Sequence, residues 1–177
     1  ENSAFSDIED SLQVKMIFAR MRAKLFSFLR PYGQTRRKYP ESDQSVAARY
    51  ARAIAEFRRS KLDKAIAIMD SLIREKPGDP YFHEMKGQML YENGRIDGAI
   101  QAFGKAALVL PEAPYIRRDL ARAQIDSGDP SYLKYAITNL EVALAAGRRS
   151  ARNWRFLAIA HGRDGNLPKS YLALGEE

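Results

Sequence analysis

The feature that most constrains this chain is a stretch from Asp79 to Pro111, DPYFHEMKGQMLYENGRIDGAIQAFGKAALVLP, which reads as two helices and a turn and recurs along the sequence. Asp79-Pro80 is a helix start: the Asp side chain accepts from free amides, and Pro at the first helical position forfeits no hydrogen bond. Asn93-Gly94 ends that helix, because Gly adopts the left-handed conformation that closes a C-terminus. Small residues at Gly87 and Ala99 let the two helices approach. Leu90, Ile96, Ala106 and Leu110 fill the seam with Phe103 beside them, and Pro111 stops the second helix.

Stepping by about 34 residues reproduces the pattern in both directions. Backwards, Gly87 maps to Ala53, Ile96 to Leu62, Ala99 to Ala65, Phe103 to Met69 and Pro111 to Pro77. The turn glycine becomes Ser60, which costs about 1 kcal/mol if that residue is left-handed. Forwards, Gly87 maps to Ala121 and Gly94 to Gly128. Asp129-Pro130 then starts a second helix some residues late, and Ala136, Leu140 and Ala143 restore the spacing. A fourth unit supplies Trp154, Leu157, Ala158, Gly165 and Leu167. Gly87, Gly94, Ile96, Ala99, Phe103, Ala106 and Pro111 match the tetratricopeptide-repeat consensus, with His83 at the position usually aromatic. The expected fold is therefore all-α: a tetratricopeptide superhelix of antiparallel helix pairs with an N-terminal capping helix. A helical cap and basic turn are expected over 1–43 and the repeat domain over 44–177, with repeats near 44–78, 79–112, 113–149 and 150–177.

The last repeat is truncated inside its second helix, and the first residue is Glu1 rather than Met, so the expectation is of a piece of something larger. At 177 residues and 45% hydrophobic, the chain can bury a sizeable core. No apolar run approaches the roughly 18 residues of a membrane span. Cysteine is absent, which excludes thiol catalysis, disulfides and thiolate metal sites. The net charge of +7 suits acidic partners, though a basic repeat protein commonly just has a solvated basic face.

Glu1 to Asp7 are polar and expected to fray. From Ile8 to Leu29 a helix is expected with two apolar stripes, one at Ile8, Leu12, Met16, Ala19, Ala23 and Phe26 and one at Val14, Ile17, Met21, Leu25 and Phe28. Two stripes imply contacts on two sides. With Lys15, Arg20, Arg22 and Lys24 between them, the choice lies between a membrane-surface helix and a cap that also packs on a further domain, and the second is favoured. Pro31 breaks the helix. Arg36, Arg37 and Lys38 follow with no aromatic platform or DNA-reading motif beside them, so no nucleic-acid partner is assigned.

Signals for chemistry are few. His83-Glu84 begins like the zinc-protease motif HExxH, but the fifth residue is Gly87, so the second ligand is missing and His83 reads as a packing residue. His161 is two repeats away with no carboxylate cluster around it. No phosphate loop or nucleophile elbow occurs. No catalytic residue, metal site or cofactor is assigned.

Binding is the more physical reading, because stacked helix pairs form a concave groove lined by the first helix of each pair. The groove positions are Tyr50, Ile54 and Phe57, then Tyr81, Glu84, Gln88 and Tyr91, then Tyr115, Arg118, Arg122 and Ile125, and finally Arg152, Arg155 and Ile159. Tyr50, Phe57, Tyr81, Glu84, Tyr91, Tyr115, Arg118, Arg122 and Arg155 are the candidate protein-binding set. Tyrosine and arginine are the types that dominate binding energy at interfaces, although such tyrosines also pack between neighbouring repeats. The carboxylate clamp of chaperone-binding tetratricopeptide domains needs Lys and Asn where Tyr50 and Ile54 stand, which argues against capture of a chaperone C-terminus.

Beyond the repeat, the strings MRAKLFSFL from Met21, RRKYPESD from Arg36, ARYARAIAEFRRSKLDKAI from Ala48, DPYFHEMKGQMLYENGR from Asp79 and LAIAHGRDGN from Leu157 carry a resemblance. Together they resemble the C-terminal region of BepA-like zinc metalloproteases of the bacterial envelope. The resemblance implies a periplasmic parent whose catalytic zinc lies in an HExxH domain outside this chain. It implies, too, that these helices dock on the protease domain and engage envelope or outer-membrane clients. No zinc ligand carries over, because no residue here matches that motif. The alternative is a free-standing scaffold or adaptor with no enzyme attached, and a basic nucleic-acid binder is a weaker option. Exposed apolar faces on the N-terminal helix and at Tyr171, Leu172 and Leu174 would allow a homodimer.

Overall fold

A computed structural model describes residues 12–146 and 150–177, and within them every regular element is helical. The chain divides into two compact units at Glu75-Lys76. The expected helix start at Ile8 and the polar residues Glu1 to Asp7 lie outside the described residues.

The first unit contains α1 (Leu12–Leu29), α2 (Tyr32–Lys38), α3 (Val46–Phe57) and α4 (Leu62–Glu75). α3 and α4 form the first antiparallel pair, with Ala53, Ala65, Met69 and Leu72 buried. Ser60 in the turn between them has φ +57, the left-handed conformation expected there. Of the first stripe on α1, Ala23 is buried against Ala48 and Ala51 of α3, with Phe26 and Tyr39 beside it, whereas Met16 is exposed. The second stripe is exposed at Val14, Ile17, Met21 and Leu25 and half-buried at Phe28.

The basic segment expected as a turn is instead the short helix α2. Pro31, with φ −57, stands immediately before it, in a conformation that suits a helix start. Side chains from α3 and its C-terminal turn hold the segment. Tyr32 donates to Glu56 at 2.7 Å. Arg52, buried, donates to the carbonyls of Pro40 and Asp43 at 2.5 and 2.7 Å. Arg58 donates to the carbonyls of Ser27 and Arg30 at 2.9 and 2.8 Å, satisfying the end of α1.

The second unit contains α5 (Pro80–Glu92), α6 (Ile96–Val109), α7 (Pro114–Asp126), a 3-10 turn (Pro130–Tyr132), α8 (Leu133–Ala145), α9 (Ala151–Arg163) and α10 (Leu167–Gly175). Consecutive helices pack as hairpins. Asp79 accepts from the Tyr81 amide at 3.0 Å with Pro80 in the first turn, as its position demands. Gly94, Gly128 and Gly165 all close first helices with positive φ, at 73°, 74° and 80°. The late second helix of the third pair has a definite cause: Asp129 caps Ser131 at 2.9 Å and a 3-10 turn intervenes before α8 begins. Ala136, Leu140 and Ala143 are then all buried. α9 and α10 complete the unit around Leu157, Ala158 and Ala173, with Trp154 packed against them.

Candidate functional site

Within the second unit the first helices α5, α7 and α9 lie side by side, so residues at equivalent turns form one face. Tyr81 on α5 is 44% exposed and Tyr115 on α7 is 55% exposed. Glu84, Gln88 and Tyr91 on α5 are half-buried, as are Arg118 and Arg122 on α7. Arg152, Arg155 and Ile159 on α9 are exposed, whereas Ile125 is in the core.

Two arginines stack on tyrosine rings. The Arg122 guanidinium lies 4.0 Å from the Tyr91 ring centre and joins α7 to α5. Arg118 lies 5.2 Å from the centre of the Tyr115 ring. Such stacking fixes a long cationic side chain while leaving its N–H edges available for hydrogen bonding. The Tyr91 hydroxyl donates to Asp126, one turn beyond Arg122 on α7. Burial, with the Asp126 bond second, pushes the Tyr91 phenol above its usual range. Arg118 also pairs with Asp119 at 2.8 Å, Arg155 pairs with Glu177, and Gln88 donates to Glu92 at 2.8 Å. The face is therefore a mixed-charge surface with tyrosines standing out of it, suited to a polypeptide that offers both apolar groups and hydrogen-bond partners.

The first-unit candidates sit differently. Tyr50 is 1% exposed and Ile54 is likewise interior, so neither offers surface to a ligand, and Phe57 is half-buried. α3, which carries them, has α4 packed on it as its pair and α1 packed on it besides. Position counting missed Asp126, Asp119 and Glu177 as the carboxylates that hold Tyr91, Arg118 and Arg155. The only available signal was that Asp126 follows Ile125 at the edge of the groove set.

His83 is buried, and its Nε2 lies 2.9 Å from the Pro77 carbonyl, the packing role its place in the repeat predicted. No cluster of three metal-ligating side chains occurs among the described residues, and no described helix is long and apolar enough to cross a membrane.

Stacked helix hairpins whose first helices present a side-chain face define a repeat-type binding fold. The tetratricopeptide-repeat model matches residues 30–80 and again 81–131, and the chain belongs to that family. Among solved structures, MamA of strain AMB-1 superposes with a TM-score of 0.71 at 15% identity, over 93% of this chain and 90% of that one. MamA of MSR-1 gives 0.71 at 16% identity, over 92% of this chain and 94% of that one. MamA from Desulfovibrio magneticus RS-1 gives 0.73 at 14%, over 92% of each chain. At these identities the likeness is one of fold. No curated protein matches the sequence.

Proposed function

We propose that this chain is a non-catalytic scaffold or adaptor that holds another polypeptide on the face formed by α5, α7 and α9. The observation that carries the reading is the pair of tyrosine-arginine stacks, Tyr91 with Arg122 and Tyr115 with Arg118. They pre-arrange the two side-chain types that contribute most at interfaces. Family membership supports it, because tetratricopeptide repeats generally serve protein-protein interaction. The fold likeness to MamA chains, matched over 90% or more of their own length, supports one repeat fold along this chain.

The test is selection of peptides from a random display library on the wild-type chain, followed by affinity measurement on Tyr81→Ala/Arg118→Ala. Loss of about tenfold or more is expected, with helical circular dichroism unchanged. An empty selection, or equal affinity for the variant, would overturn the reading.

A second reading rests on the resemblance of those sequence strings to envelope zinc metalloproteases: the same face would then select clients for a periplasmic protease whose catalytic domain binds zinc. Zinc content of the intact parental protein separates the two. About one zinc per chain favours the protease arm, and a metal-free parent leaves the scaffold.

A further inference from the structure

α1 packs on its unit with its small and polar side and turns its apolar side outward. Ala23, Ser27 and Arg20 are the buried residues, whereas Phe18 is 58% and Leu25 60% exposed. Val14, Met21 and Leu29 are exposed as well, and the five follow one another at helical spacing as a single stripe. At about 100° per residue, Arg22 and Lys15 fall roughly 60–80° to one side of the midline of that stripe and Lys24 roughly 100° to the other. α1 contains no acidic residue. A cleft of about 420 Å³ runs beside it, lined by Val14, Phe18 and Ala19 together with Lys15, Arg22 and, from α2, Lys38; Asp43 is its one acidic wall.

The charge pattern selects among occupants. A second copy meeting this face would bring the basic borders of one helix against those of the other, a like-charge arrangement that disfavours association. A buried protein interface is depleted of charge at its core and would need an acidic rim on both sides. A bilayer meets the pattern directly: apolar side chains enter the acyl boundary, and lysine and arginine reach up to the phosphates on either side. We propose that α1 seats the first unit on an anionic phospholipid surface, with Val14, Phe18, Met21, Leu25 and Leu29 inserted and Lys15, Arg22 and Lys24 at the headgroups. This is independent of the peptide face on the second unit.

The experiment is cosedimentation of the full 177-residue chain with phosphatidylcholine vesicles, with and without phosphatidylglycerol. Binding to the anionic vesicles and little to the neutral ones is expected. Phe18→Gln/Leu25→Gln keeps the charge and changes only exposed side chains, and should lower partitioning by about tenfold or more. Lys15→Gln/Arg22→Gln should weaken binding and flatten its salt dependence, and Leu172→Gln on α10 should change nothing. Absence of binding to anionic vesicles at low salt overturns the proposal. So does undiminished binding of the Phe18/Leu25 variant, which would mark general adsorption of a +7 chain. A Phe18/Leu25 variant that binds vesicles as before, but is a monomer where the wild type is a dimer, overturns it in favour of self-association.

Discussion

Gly87 on α5 lies so close to Phe103 on α6 that a β-carbon there would stand 2.7 Å from Cδ1 of the ring and 2.9 Å from Cγ. The ring is itself buried in the helix pair, so it cannot swing aside. Gly87→Ala would overpack the seam at a cost of about 1–3 kcal/mol, against a helix-propensity gain of about 1 kcal/mol. A net loss on the order of 1 kcal/mol is expected in urea unfolding followed by circular dichroism. A variant as stable as the parent would mean the close approach is not what requires glycine.

Ser60 is the opposite case, a side chain held at φ +57 in the turn between α3 and α4. Its amide donates to the Phe57 carbonyl at 2.8 Å, so the turn is tied and the serine endures the left-handed conformation. Ser60→Gly removes that strain and should stabilise the first unit by about 0.5–1 kcal/mol, while Ser60→Ala should not. Melting curves of the three proteins, compared side by side, decide it.

These two positions also show what was legible in the sequence. Backbone demands repeat with the period, so Gly94, Gly128 and Gly165 announce their turns and Ser60 stands out as the exception. Residues whose role depends on a distant partner do not announce themselves. In sequence the two stripes of α1 are equally apolar, and only packing on α3 shows that the Ala23 side is buried and the Leu25 side exposed. Tyr50 takes a groove position by counting but is interior, on a helix that packs against both α4 and α1, whereas counting treats every first helix alike. The basic segment read as a turn is the helix α2, tied to α3 by the Tyr32–Glu56 bond and flanked by Arg58 at the end of α1 and Arg52 on the Pro40 and Asp43 carbonyls, long-range contacts that no local propensity encodes.

Asn139 on α8 is another such residue. It is buried, accepts from Arg117 at 2.7 Å and donates to the side-chain Oε1 of the buried Gln124 at 3.0 Å, bridging α8 to α7. Asn139→Ala leaves the Gln124 oxygen without that donor and should cost about 1–3 kcal/mol. Adding Gln124→Leu removes the stranded acceptor, so the double variant should recover part of the loss. Denaturant midpoints for the four members of the cycle test this, and simple additivity of the two single losses would show that the bond is not coupled.

His161 on α9 gives stability a pH dependence whose sign follows from its surroundings. It is buried, and its Nδ1 has no hydrogen-bond partner among the described residues. Burial first, and then the Lys169 ammonium, hold its pKa below the usual 6.5; Glu141 and Asp164 oppose this more weakly. A histidine depressed in the folded state binds its proton more readily when unfolded. Its contribution is therefore fully present above pH 6.5 and is lost as the pH falls from there through the folded pKa. Unfolding free energy should accordingly decline between neutral pH and about pH 5, a range above most carboxylate titration. His161→Gln should flatten that part of the profile, and the His161 ring resonance should titrate below the usual histidine value. A wild-type profile as flat as the variant's across that window would show that burial does not penalise the charged ring.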